Sequence, residues 1–431
     1  MVPSLRFVLL LAIGIIPLAI APRPATVAQW TLLCLVVALV DWSLAGKPQK
    51  ALIARDITPT AVRLGQDAIS TLTVYNPTTS PLRLRLRDVW PPTAAASPEI
   101  GELTIPAGER RRMRTTLTPL RAGTRTNHTL ALRSYGPLRL LARTRVRDVP
   151  GELQVLPPFT SRRHLPSRLA RLREMDGRSS VNVRGQGTEF DSLREYVSGD
   201  DVRAIDWRAT ARAQDLMVRT WRPERDRRVV IIVDTGRLAA ARLDLHTRLD
   251  AHIDATLLLA ALTSHAGDRV DVVALDTAVH VHVSQHSGPT LMHELAVALA
   301  DVEAQLRETN WKLAATTVHR LVSQRSLVVI LTALDPAVIS GGLRDVAAQL
   351  ATQHTVVIAG AGDKELTELA TDRTSAVAAY TAAAAEQTLA DQRTAISALN
   401  SAGAHVVYGS ESELPVRLAD SYLQLKASAQ L

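Results

Sequence analysis

Asp234 closes the apolar run Val229-Val-Ile-Ile-Val233, and a second acid, Asp335, follows the run Leu327-Val-Val-Ile-Leu-Thr332. A carboxylate at the carboxyl end of a buried parallel strand stands where open α/β sheets bind ligands, so it could attack a substrate or hold a cation. Phosphatase chemistry of the haloacid-dehalogenase type would need a general acid two residues after that nucleophile, and position 236 is Gly. His280 and His282 alternate along an expected strand near Asp276, with His286 and His293 beyond, a set that could bind zinc. No Glu-x-x-His or His-Glu-x-x-His helix accompanies it, and two His on the polar face of an edge hairpin read as solvated. Arg194, Glu195, Asp206 and Arg208 place planar guanidinium forks beside carboxylates, a combination suited to rigid bidentate contacts. With Glu189, Phe190, Asp200 and Trp207 they form the candidate binding set, either a brace for the sheet domain or a docking surface. Gly185-Gln-Gly lacks the Gly-Lys-Ser/Thr of a nucleotide loop.

Strand and helix patterns alternate from 229 to 431, which predicts an open α/β sheet with helices on both faces. Expected strands lie at Arg269 to Leu275, Val279 to Val283, Leu327 to Thr332, Thr355 to Ala359 and His405 to Tyr408. Expected helices lie at Leu238 to Ser264, Thr290 to Glu308, Trp311 to Gln324, Leu343 to Ala351 and Ala376 to Ala402, with one more at the end. In residues 184–228 a helix is expected over Val202 to Ala213, capped by Ser198 or Asp200, with Trp207 as a core anchor before a strand at Leu216 to Trp221.

Residues 1–46 hold two uncharged apolar runs, Phe7 to Pro22 and Pro24 to Val40, separated by Arg23. They read as a transmembrane helix pair, with a cleaved signal peptide as the competing reading of the first. Arg6 before the pair and Lys47, Lys50 and Arg55 after it, against Arg23 between, follow the positive-inside bias. The expectation is a two-pass plasma-membrane protein whose large domains are cytoplasmic. Residues 51–150 show short alternating strands, clearest in Leu82-Arg-Leu-Arg-Leu-Arg87, and predict a small all-β sandwich, immunoglobulin-like in topology. The Pro-, Ser- and Arg-rich stretch 151–183 reads as a linker.

The net charge of +8 suggests nucleic acid or an anionic membrane, but many Arg alternate with acids, as in Pro223-Glu-Arg-Asp-Arg-Arg228, which favours pairing within the chain over nucleic-acid binding. An Arg-rich nucleic-acid or lipid binder is the alternative kept. The single Cys34 excludes an intramolecular disulfide and a Cys-rich metal site.

The stretch from Gly185-Gln-Gly-Thr-Glu-Phe-Asp through Ser198-Gly-Asp-Asp-Val-Arg-Ala-Ile-Asp-Trp-Arg208, followed by Pro223-Glu-Arg-Asp and the strand ending in Asp234, resembles the signature of domain-of-unknown-function family 58. The C-terminal half of that family looks like a von Willebrand factor A module. The resemblance implies protein binding alongside a MoxR-type AAA+ ATPase, in chaperone-like assembly or activation of an unknown client; no enzymatic activity is expected, because Gly236 leaves the phosphatase reading without its proton donor. It also implies a magnesium site built on Asp-x-Ser-x-Ser plus a Thr and a second Asp. Here the motif reads Asp234-Thr-Gly-Arg-Leu238, so Gly236 and Leu238 replace both hydroxyl ligands and Arg237 adds a positive charge. Thr290 and Asp335 are the candidates for the distal ligands. No cofactor is expected, since a hard cation needs the oxygen donors that are missing.

Overall fold

The computed structural model describes residues 2–182, 189–197, 200–213, 215–222, 227–244, 246–284 and 289–428, in two compact units, Met1–Pro158 and Phe159–Leu431.

The first unit comprises β1 (Val2–Pro3), α1 (Leu5–Ile13), α2 (Ile15–Ile20), α3 (Pro24–Leu44), β2 (Leu52–Thr58), β3 (Ala61–Arg63), β4 (Ala68–Tyr75), β5 (Leu82–Asp88), β6 (Ala96–Ser97), β7 (Ile100–Ile105), β8 (Arg110–Leu117), β9 (Gly123–Tyr135) and β10 (Leu141–Leu156). Among the described residues one helix, α3, is long and apolar enough to cross a bilayer, where two were expected. The first apolar run is shorter, Leu5–Ile20, and is broken at Gly14. Pro17 withholds the amide that would bond the Ile13 carbonyl, and Trp30 packs where a Cβ at Gly14 would lie.

One sheet runs β1-β10-β9-β5-β7, with β3 beside β10, and the other β2-β4-β8-β6. The period of two in β5 does what it predicts: Leu82, Leu84 and Leu86 are buried and the arginines between them are exposed. Leu72 and Val74 of the second sheet join Leu84, Leu86, Leu130 and Leu132 of the first in the core. Across this core Arg55 on β2 meets Asp88 on β5 at 2.7 Å, with the two side chains 2% and 0% exposed. Asp88 also accepts from Trp90 Nε1 at 3.0 Å and Asn127 Nδ2 at 2.7 Å. The buried charge is therefore both paired and hydrogen-bonded.

The stretch 151–183, expected as a linker, holds the last residues of β10, to Leu156, and an 18-residue helix, α4 (Leu165–Asn182). After α4 the second unit continues with β11 (Glu189–Glu195), α5 (Trp207–Ala213), β12 (Met217–Arg222), β13 (Arg228–Asp234), β14 (Arg242–Leu243), β15 (His246–Thr247), α6 (Arg248–His265), β16 (Arg269–Leu275), β17 (Val279–Val283), α7 (Pro289–Ala300), α8 (Trp311–Leu321), β18 (Leu327–Leu331), α9 (Pro336–Val338), α10 (Arg344–Ala351), β19 (Thr355–Gly362), α11 (Lys364–Leu369), α12 (Ala376–Ser401), β20 (His405–Ser410) and α13 (Leu414–Ala427). Its main sheet has the order β17-β16-β13-β18-β19-β20, parallel throughout except for the edge strand β17. Val229, Ile231 and Val233 of β13 pack on α6, α7 and α13, while Val230 and Ile232 face α8 and α10 on the other side. This is the open α/β sheet covered on both faces that the alternation predicts.

The helix expected from Leu238 begins ten residues later. A short 3₁₀ turn and the β14–β15 pair intervene, and α6 starts at a capping box in which Thr247 and Asp250 satisfy each other's backbone amides.

Candidate functional site

Strand order reverses between β13 and β18, the first and fourth strands of the main sheet, so the crevice beyond their carboxyl ends is the ligand position of a doubly wound sheet. Asp234 ends β13 there, only 2% exposed. Thr332, which follows β18, donates its hydroxyl to Asp234 Oδ2 at 2.5 Å. Thr309, in the connection from α7 to α8, donates to Oδ1, and the Gly236 amide adds a third bond to Oδ1 at 2.8 Å. Burial pushes the Asp234 carboxyl above its usual range, against the lowering effect of these three donors.

Thr290, the candidate distal ligand, lies exposed in the first turn of α7, and the threonines that meet Asp234 are Thr309 and Thr332. The helix expected through Glu308 stops at Ala300, and that early end frees the following segment to carry Thr309 back over β13. Asp335 is engaged elsewhere: its Oδ1 accepts the Ala337 amide at 2.8 Å and caps α9. A side chain at position 236 would collide with the Thr309 hydroxyl, so neither the missing serine nor a phosphatase's general acid has room there.

Arg248, at the start of α6, donates to the carbonyls of Leu238 at 2.6 Å and Ala361 at 3.1 Å. Burial works against its charge, and the charges of Asp335, Asp234 and Asp363 support it. The cleft above Asp234 is lined by Arg237, Arg307, Thr309 and Trp311 and has room for about 50 Å³, well below the several hundred Å³ of an ordinary small-molecule pocket. A magnesium ion here would find one carboxylate already accepting three hydrogen bonds, a second acid turned to a helix cap, and the guanidinium groups of Arg237 and Arg307 beside it. The residues present do not fit that ion.

Among the described residues no three His, Cys, Asp or Glu side chains come together to hold a metal. The alternating histidines instead meet one carboxylate each, His280 with the buried Asp276 at 2.8 Å and His282 with Asp271 at 3.5 Å. His286 lies outside the described residues, as do Ser198, Gly185-Gln-Gly and Pro223-Glu-Arg-Asp226.

The candidate binding set forms an arm in which β11 and β12 pair antiparallel. Arg194 grips Asp200 through two bonds of 2.7 and 2.6 Å, and Arg219 grips Asp206 through two of 2.8 Å. Asp206 also caps α5, accepting the Arg208 and Ala209 amides at 3.0 Å each. The Ala209 bond is foremost among the causes that lower its carboxyl, followed by Arg219. The forks thus exist, with partners the spacing did not indicate. Glu189 and Phe190 sit in β11 by their backbones, and their side chains lie outside the described ones.

The single helix expected over 202–213 is a 3₁₀ turn at Val202–Ala204 and then α5, with Ile205 between them bridged to Val218. This break reverses the expected anchoring: Ile205 and Val218 are buried at 9% and 3%, while Trp207 is 67% exposed. Val197, Val202 and Leu216 are exposed as well, and Arg203, Arg208 and Arg212 have no carboxylate partner among the described residues.

Residues 192–393 match the family model "Protein of unknown function DUF58". The DUF58 match takes in most of the arm together with Asp234, Thr309 and Thr332. Two curated relatives are similar to this chain, the uncharacterized proteins Mb1516 of Mycobacterium bovis and Rv1480 of Mycobacterium tuberculosis. Each is 27% identical over 156 residues, 35% of this chain and 48% of the relative, so the chain spans about half the length of the curated relatives it matches. Among solved structures, the conserved hypothetical protein BatB of Bacteroides thetaiotaomicron is 13% identical, covering 47% of this chain and 99% of its own, with a TM-score of 0.29. An aerotolerance-related membrane protein of Bacteroides fragilis is 10% identical over the same shares, with a TM-score of 0.31.

Proposed function

We propose that this chain is a membrane-anchored, non-catalytic protein-interaction module with a von Willebrand A-like second unit and no resident cofactor. In this reading α1 to α3 form a helical hairpin in the plasma membrane and both large units are cytoplasmic. The partner to test first is a MoxR-type AAA+ ATPase, with an unidentified client held for assembly or activation.

The observation that carries the reading is Trp207, 67% exposed on a braced arm among exposed aliphatic side chains and arginines that lack carboxylate partners. Trp and Arg are the residue types that dominate interface energetics, and a rigid scaffold lowers the cost of binding. Val197, Val202 and Leu216 favour a protein partner over nucleic acid, whose phosphates would find nothing to contact in them.

Affinity capture from detergent-solubilised membranes tests this. The Trp207→Ala chain should retain its partner about 30-fold less tightly than the native chain, the loss expected of an interface anchor. Equal recovery by the two chains would refute the arm as the docking site. The Asp234 cleft makes a separate prediction: calorimetric titration with magnesium should show no stoichiometric uptake, and one-to-one binding lost in Asp234→Asn would contradict the cofactor-free reading.

A further inference from the structure

The apolar hairpin leaves the β-sandwich and returns to it at one end. The Ser4 amide donates to the Leu140 carbonyl at 2.9 Å, the Ser4 hydroxyl donates to the Arg139 carbonyl at 2.6 Å, and Val2 pairs with Ala142. On the return, Asp41 in the last turns of α3 is 1% exposed and accepts the Leu138 and Leu140 amides at 2.7 and 2.8 Å. Arg143 donates to the Trp42 carbonyl at 3.1 Å and lies 3.8 Å from the centre of its ring. A Cβ at Gly136 would collide with the Asp41 carbonyl, so the β9–β10 turn sits directly against the helix. The sandwich is therefore clamped to the end of α3 rather than tethered to it.

Cations gather at that same end. Lys47 and Lys50 follow α3, Arg83 stands beside Leu82 of β5, whose side chain packs at Gly46, and Arg110 opens β8 in a row with Tyr75 and Leu52. Glu102 of β7 and Glu109, next to Arg110, are occupied by Arg139 at 3.3 Å and Arg111 at 2.8 Å, and Asp41 is held by the Leu138 and Leu140 amides. Lys47, Lys50, Arg83 and Arg110 are exposed and have no carboxylate partner among the described residues. Leu138 and Leu52, 53% and 60% exposed, lie among them.

We propose that this end of the sandwich is a docking collar for anionic lipid headgroups, which holds the first unit against the membrane surface instead of merely near it. The inference rests on the membrane anchor proposed above and adds a second, electrostatic contact. Exposed cations within a Debye length of an anionic leaflet are attracted to it, and interspersed leucines suit the boundary between headgroups and acyl chains.

The full chain reconstituted in phosphatidylcholine nanodiscs, and in nanodiscs containing phosphatidylglycerol, separates the two contacts by amide hydrogen exchange. The turns 76–81 and 106–109 should exchange on the order of fivefold more slowly with the anionic lipid, and salt of about 1 M should abolish the difference. A Lys50→Gln, Arg83→Gln, Arg110→Gln chain should enter both discs and show no lipid dependence. Equal exchange in both discs by the native chain would overturn the collar while leaving the anchor intact. Failure of the native chain to enter either disc would overturn the anchor and the collar with it.

Discussion

Replacing Asp88 by Ala should lower the stability of the sandwich by about 3–5 kcal/mol, because it strands the Arg55 charge between two sheets. Arg55 and Asp88 are 2% and 0% exposed, so water cannot replace the lost partner. Trp90 Nε1 and Asn127 Nδ2 would lose an acceptor in the same step, and Asn127 is itself buried. Denaturation followed by hydrogen exchange in β5 and β9 measures the loss. The double change Arg55→Met, Asp88→Leu should recover the part due to the stranded charge, since an apolar pair of similar volume needs no desolvation of charge, while the loss at Trp90 and Asn127 remains. A single change that costs under about 1 kcal/mol would mean that the pair is solvated, like an ordinary surface bridge.

The second unit should lose stability steeply in mild acid through His252. This side chain is fully buried in α6, and burial, followed by the nearby Arg248 charge, drives its pKa from 6.5 down to about 3. Because the folded value lies below the unfolded one, the unfolded chain binds the proton first. The contribution is intact above pH 6.5 and is lost as pH falls toward about 3. The slope is about 1.4 kcal/mol per pH unit, or roughly 3 kcal/mol by pH 4. The Nδ1 atom has no partner and Nε2 faces the Ala361 amide at 3.5 Å, so nothing stands ready to take up the imidazolium. Unfolding curves of the native chain and His252→Leu across this range check the effect. The variant should be flatter in pH, and parallel curves would show that other groups carry the acid sensitivity.

Local patterns made much of the architecture legible. Alternation in β5 and the unbroken apolar run of β13 state their burial directly, because side-chain direction in a strand depends on nothing farther away than the next residue. Long-range pairings were hidden for the opposite reason. Arg55 and Asp88 are 33 residues apart, and nothing local distinguishes them from the surface Arg and Asp around them. Thr309 and Thr332 lie 75 and 98 residues from Asp234, so only the sheet order brings their hydroxyls to it. Trp207 lies outside the core because the 3.6-residue period is interrupted at Ile205, where the backbone turns to bridge Val218. The start of α6 is written locally: Thr247 with Asp250 three residues on is a capping box.

The arm is the part of the molecule on which the functional account stands. A photo-crosslinking amino acid placed at position 207 of the full chain, activated in intact membranes, tests it most directly. The account predicts a discrete adduct with one other protein, an AAA+ ATPase or its client, formed through the arm. Crosslinks confined to lipid or to this chain itself, from a fully folded protein, would contradict it.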